Sequence, residues 1–187
     1  ELEPSITEAE NVKETSVNSS SVNLTKYDDN ALTFEHVCMK YAGSKEDALT
    51  DINFSSKKGQ IIGIIGGTGS GKSTLVNLIP RFYDVSSGRV LVDGCDVRDY
   101  PLVKLRDKVA IVMQKAVLFK GTIAENLKWG KADATEEEMI EALKMAAAYD
   151  FVMELPNGID TVIGERGHGI SEGQAQRIAI ARALIKK

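Results

Sequence analysis

From residue 31 onward, apolar and polar positions begin to alternate. Leu32 and Phe34, then Val37, Met39 and Tyr41, are separated by polar residues, the period of a half-buried strand. A shorter strand is predicted from about Leu49 to Phe54, after the polar turn GSKED, as an antiparallel neighbour of the first. Residues 60–66, QIIGIIG, form a continuous apolar run, the pattern of a strand covered on both faces. Glycines follow, and then STLVNLI at helical spacing. GRVLVDG (Gly88 to Gly94) and KVAIVMQ (Lys108 to Gln114) predict two more strands. Beyond them three helix starts carry a capping box: Thr122 with Glu125, Thr135 with Glu138, and Ser171 with Gln174. The acids of TEEEMIEALKMAAAY lie in its first turn, where the positive end of the helix dipole favours them. Residues 120–187 are therefore expected to be mainly helical, and no internal repeat is visible.

Residues 1–30 lack this patterning. They are mostly Glu, Ser, Asn, Thr, Lys and Asp with single aliphatics, too little apolar area to offset the entropy of ordering, and read as a linker or tail. Two N-x-[ST] triplets, at Asn18 and Asn23, occur there and carry no weight in a cytosolic chain. The remaining length is that of one domain with a real core. A hydrophobic share of 43% and a charged share of 27% are ordinary for a soluble globular protein, and a net charge of -4 favours no nucleic-acid partner. Cys38 and Cys95 show no metal-ligand or C-x-x-C spacing and fit free thiols. No run is long enough to span a bilayer, and ELEPSITEAE has neither the basic start nor the apolar core of a signal peptide. The absence of an initiator Met leads to the expectation that the chain is a fragment.

The chemistry concentrates at one loop. Gly66, Gly67, Thr68, Gly69, Ser70, Gly71, Lys72 and Ser73 spell G-x-x-x-x-G-K-[ST] between the apolar run and the predicted helix. Glycines let successive backbone N–H groups converge on a phosphate group, and the following helix adds its N-terminal partial charge. Lys72 would reach the β- and γ-phosphates, and the Ser73 hydroxyl would join the shell of a Mg²⁺ ion. Thr74, next in the chain, belongs to the same nucleotide-binding set. Such a loop alone does not choose among kinases, GTPases, motors and transport ATPases.

The segment ISEGQAQRIAIARAL, beginning at Ile170, resembles the L-S-G-G-Q signature and following helix of the ATP-binding cassette (ABC) family. Other segments match in the family's order: Tyr41 ending the first strand, Gln114 closing KVAIVMQ, and LFKGTIAENLKWG and TVIGERG, which look like exporter segments. The resemblance covers roughly residues 31–187. It implies an α/β fold, with a P-loop NTPase core, an antiparallel β-subdomain and an α-helical subdomain. It also implies ATP and Mg²⁺ as ligands, Tyr41 stacking on adenine, and Gln114 as the Q-loop residue that binds Mg²⁺ and senses the transported state. Ser171, Glu172, Gly173 and Gln174 then form the signature that faces ATP held by a second ATP-binding domain. Three positions depart from the family pattern: Gly67 where many members have Pro, Ile170 for Leu, and Glu172 for the first signature glycine.

The resemblance further implies that the Walker B strand, the catalytic Glu and the switch His follow the signature helix. The sheet is accordingly expected to be incomplete, because the chain ends after that helix, and the 187-residue chain to be unable to hydrolyse ATP alone. The Asp93 of VLVDG imitates a Walker B Asp but lies too soon after the loop, and is read as a strand and turn. His36 reads as a surface residue, His168 has no partners that spell a triad or metal site, and Trp129 reads as packing. Implied partners are a second ABC domain and a transmembrane domain, at the cytoplasmic face of a membrane. The alternatives are a soluble ABC-type ATPase, a non-hydrolysing nucleotide-binding regulatory module, and an unrelated P-loop kinase, for which the segment at 170 would have no use.

Overall fold

A computed structural model of the chain describes residues 30–164 and 169–186. The segment read as a linker, apart from Asn30, lies outside the described residues, as do Glu165 to Gly167 of TVIGERG and His168. The chain divides into two compact units, Glu1–Val109 and Ala110–Lys187.

The first unit holds β1 (Asn30–Met39), β2 (Leu49–Lys57), α1 (Lys72–Leu78), β3 (Ser87–Val92), β4 (Cys95–Asp96) and α2 (Leu102–Lys108). The strands form one antiparallel sheet in the order β2-β1-β3-β4. The expected pairing of the first two strands is present, but β1 stops at Met39 and leaves Tyr41 beyond it. Phe34 faces Phe54, Val37 faces Ile52 and Met39 faces Leu49. β1 therefore carries one extra residue between the first two pairs, and β2 one between the last two. His36 and Asp51, both at φ 48°, lie in these two bulges. Gly88 of β3, at φ 78°, fits against the first of them: a Cβ there would meet the His36 carbonyl oxygen at 2.3 Å. Phe34 and Phe54 stack with centroids 4.7 Å apart. Phe34, Val37, Met39, Leu49 and Val90 form a core with Leu75 and Leu78 of α1 and Leu105 of α2.

Two expected strands are absent. Residues 60–66 are irregular, with Ile61 97% and Ile65 99% exposed. KVAIVMQ is not a strand either: Lys108 closes α2, and Val112, Met113 and Gln114 are exposed. An apolar run becomes a strand only when neighbours satisfy its backbone N–H and C=O groups, and none of the described strands pairs with either segment. The sheet is thus incomplete, as expected, and the two runs read as its buried strands stay unpaired. GRVLVDG did form the strand and turn predicted for it. Asp93 and Gly94, at φ 48° and 77°, make the two-residue turn between β3 and β4, the conformation that Asp-Gly favours in a hairpin.

The second unit is mainly helical. It contains β5 (Gly121–Thr122), α3 (Ile123–Lys128), α4 (Glu136–Met145), α5 (Tyr149–Met153), a 3-10 turn (Gly158–Asp160), β6 (Val162–Ile163) and α6 (Glu172–Leu184). β5 and β6 pair antiparallel. All three capping boxes are formed, at Thr122, Thr135 and Ser171. Ile123, Leu127, Met139, Leu143, Val152, Ile163, Ile178 and Ile185 are buried together. Asn126 is buried among them with its amide fully used: its nitrogen donates to the Phe119 and Thr122 carbonyls, both at 2.9 Å, and its oxygen accepts from Phe119 N at 2.8 Å. Among the described residues, no helix is long and apolar enough to cross a membrane.

Candidate functional site

The glycine loop closes onto α1 through Gly71, the residue before the helix. It adopts φ 83°, and a Cβ would fall 2.6 Å from the Ala48 carbonyl oxygen and 2.8 Å from Leu49 Cδ2 at the start of β2. Only glycine fits this junction. Ahead of it, Ser70 N donates to the Gly67 carbonyl at 3.3 Å, and Gly69 takes φ 82°. Lys72 curls back over this turn. Its Nζ donates to the carbonyls of Gly66 at 2.8 Å and Gly67 at 2.6 Å, and to Ser70 Oγ at 3.2 Å. An ammonium group thus sits against the loop itself, on acceptors that an anionic ligand could replace with stronger, charge-assisted partners. Ser73 is exposed beside it in the first turn of α1, while Thr74 is buried.

Tyr41 joins this group through a contact that sequence reasoning missed. Its hydroxyl shares a 2.9 Å hydrogen bond with Thr74 Oγ1, and its ring lies perpendicular to that of Tyr83, with centroids 5.2 Å apart. Tyr41 and the loop at 66–74 are therefore one constellation within the first unit. Tyr83, in the turn after α1, had no signal of its own beyond being aromatic.

Gln114 and the signature belong to the second unit. Gln114 is exposed in the irregular segment before β5 rather than at the end of a strand. The backbone beside it is held by α6 instead: Gln176 Nε2 donates to the Met113 carbonyl at 3.2 Å, and an Arg182 Nη to the Val117 carbonyl at 2.9 Å. The Arg182 guanidinium lies 5.7 Å from the centre of the Phe119 ring, and burial lowers its pKa. Phe119 in turn packs on Trp129, with centroids 4.9 Å apart. Neither Gln176 nor Arg182 stood out in the sequence, because both look like the polar face of an ordinary helix. At the start of α6, Ser171 Oγ accepts from Gln174 N at 3.2 Å and Gln174 Oε1 accepts from Ser171 N at 2.8 Å. Each side chain is engaged with the other residue's backbone N–H, while Glu172 and Gly173 are exposed.

The remaining candidates are structural. Asp93 pairs with Lys108 at 2.6 Å and Lys58 at 3.8 Å. The Lys108 ammonium holds its carboxyl below the usual aspartate range, burial opposes this, and Lys58 adds to it. A carboxylate neutralised by two lysines in a hairpin turn is no Mg²⁺ ligand. His36 is exposed on the bulge, with Nδ1 2.8 Å from Asp51 Oδ1. Among the described residues no group of three or more His, Cys, Asp or Glu could hold a metal ion, and Cys38 and Cys95 are free.

The chain is similar to large proteins that contain this arrangement as one part. A Bacillus subtilis protein named as a multidrug export ATP-binding/permease protein is 50% identical over 153 residues, 82% of this chain and 26% of that protein. A Staphylococcus aureus protein of the same description is 47% identical over 154 residues, again 82% of this chain, and 27% of its own length. The solved structure of a bacterial Atm1-family ABC exporter with ATP bound superposes with a TM-score of 0.80 at 40% identity, covering 86% of this chain and 28% of the other. The chain thus spans about a quarter of the length of these relatives. Residues 49–187, which run from the start of β2 through the glycine loop to the signature helix, match the ABC transporter family. With most of its length matched and the loop geometry in place, the chain belongs to the ABC transporter family.

Proposed function

We propose that residues 31–187 are the ATP-binding domain of an ABC exporter, joined by residues 1–30 to a transmembrane domain and working at the cytoplasmic face of the membrane. The observation that carries this reading is Lys72, whose ammonium is already folded over the turn formed by Gly66, Gly67 and Ser70. In this role Lys72 exchanges two neutral carbonyls for the β- and γ-phosphate oxygens of ATP, and the loop N–H groups donate to the same phosphates. Tyr41 offers its ring to the adenine, and Thr74 holds its hydroxyl.

Mg²⁺ belongs with this reading. In the first unit the exposed Ser73 hydroxyl is a neutral oxygen donor of the kind a hard cation takes alongside phosphate and water, and in the second unit the exposed Gln114 amide is another. When bound, Mg²⁺ neutralises charge on the β- and γ-phosphates. Ser171, Glu172, Gly173 and Gln174 present the start of α6 to a second ATP-binding domain, so that two ATP molecules are shared between two domains. The names of the Bacillus and Staphylococcus relatives, which join ATP binding to a permease, favour the exporter reading over a soluble ATPase or a regulatory module.

Equilibrium binding of ATP with Mg²⁺ tests the reading. Lys72→Ala is expected to weaken it by about two orders of magnitude, the scale of losing a charged hydrogen-bonding group. Unchanged affinity would remove the loop from the site.

A further inference from the structure

The hydrogen bond from Tyr41 to Thr74 fixes the position of a hydroxyl oxygen, not the plane of a ring. The Tyr oxygen lies on the axis about which the ring turns, so rotation about the Cβ–Cγ bond leaves that bond intact. Something else must set the plane. The neighbour that does so is Tyr83, perpendicular to Tyr41 at 5.2 Å, an arrangement aromatic rings favour.

Tyr83 is itself presented by a turn that is tied down by hydrogen bonds within the first unit. Phe82 N donates to the Asn77 carbonyl at 3.0 Å, tying the turn to α1. The buried Arg81 adopts φ 54° and grips both carboxylate oxygens of Asp84, at 2.7 and 3.1 Å. From α2, Arg106 donates to the carbonyls of Pro80 and Arg81, each at 3.3 Å. Among the described residues the Tyr83 hydroxyl has no hydrogen-bond partner, so its contribution to this cluster is its ring.

We propose that Tyr83 is a positioning residue for nucleobase recognition: it holds the Tyr41 ring in the plane that a purine stacks on. This rests on the reading of Tyr41 as the base platform. It makes base affinity separable from phosphate affinity, because Tyr83 acts on the ring and not on the loop that takes the triphosphate. A ring free to turn would have to be ordered each time a base is bound.

The test compares binding of ATP and of inorganic tripolyphosphate, both with Mg²⁺, to the full-length protein and its variants. Tyr83→Ala and Tyr83→Leu are expected to weaken ATP binding about three- to ten-fold, the range of an aromatic pair, with tripolyphosphate affinity unchanged. Tyr83→Phe, which keeps the ring, is expected to match the parent for both ligands. An equal loss for ATP and tripolyphosphate would reduce Tyr83 to a packing residue, and an unchanged ATP-to-tripolyphosphate ratio in folded Tyr83→Leu would end the proposal. Tyr41→Leu separates this from the underlying reading: loss of ATP but not tripolyphosphate affinity there, with an unchanged ratio in the Tyr83 variants, overturns Tyr83 alone, whereas an unchanged ratio in Tyr41→Leu overturns the base platform and the proposal with it. Retention of both ligands by Lys72→Ala overturns the nucleotide site and the proposal with it.

Discussion

Asp93 shows how one residue can carry two opposite messages. An apolar strand ending in Asp is the pattern of a Mg²⁺-supporting carboxylate, yet Asp-Gly is also the strongest short hairpin signal. Here the second message wins, and the carboxylate is spent on Lys108 and Lys58. Its lowered pKa fixes the sign of its contribution to stability. The contribution is complete above the carboxyl's value in the unfolded chain and is lost as pH falls through the lower folded value. In Lys108→Met the principal partner is gone, so Asp93 is expected to titrate closer to the ordinary aspartate range, and acid unfolding to begin at higher pH. NMR titration of the carboxyl carbon reads the shift directly; an Asp93 curve that does not move would show that Lys108 is not its cause. Local geometry was legible where local chemistry sufficed, as at the Asp93 turn. The Tyr41–Thr74 bond was not legible, since its partners are 33 positions apart and neither is unusual in its own neighbourhood.

Among elements, α3, α4 and α6 were the most readable because each announces its own start. A capping box is a contact across three residues, so it survives without knowledge of the tertiary fold. Thr135 and Glu138 satisfy each other's backbone N–H at 3.3 and 3.0 Å, ahead of a first turn with three acids. Thr135→Ala is expected to cost about 1 kcal/mol, read as a lower urea midpoint, with Thr135→Asp recovering most of it. No change in the alanine variant would mean that α4 is held by packing alone. Strand irregularity was less legible, although the sequence did contain a trace of it. The step from Phe34 to Val37 is three residues, where strict alternation allows two, and that is the footprint of the bulge at His36. The matching bulge at Asp51 left the same trace, a three-residue step from Leu49 to Ile52.

For the whole molecule, legibility failed where a segment depends on neighbours that the segment itself does not encode. QIIGIIG and KVAIVMQ have the composition of buried strands, and both are irregular for want of a pairing partner among the described residues. Hydrogen exchange on the 187-residue chain should expose this difference. Amides of 60–66 are expected to exchange at least about a thousand-fold faster than those of β1, because local opening there breaks no ladder. Comparable protection in the two segments would show that 60–66 is paired in solution. The glycine loop follows directly on this unpaired run, while its far end is anchored by α1 in the core through Leu75 and Leu78. One side of the loop is thus fixed by packing within its own unit, and the other inherits whatever order the apolar run receives.

The bulges at His36 and Asp51 lead to a final consequence. They settle a conflict of parity: five positions separate Phe34 from Met39, and five separate Leu49 from Phe54, an odd step that strict alternation would split between opposite faces of the sheet. One surplus residue in each strand returns both members to the same face, so that Met39 and Leu49 meet as Phe34 and Phe54 do. A strand that absorbs an extra residue bends where it does so, and the course of β1 towards Tyr41 is therefore set by where its surplus residue falls.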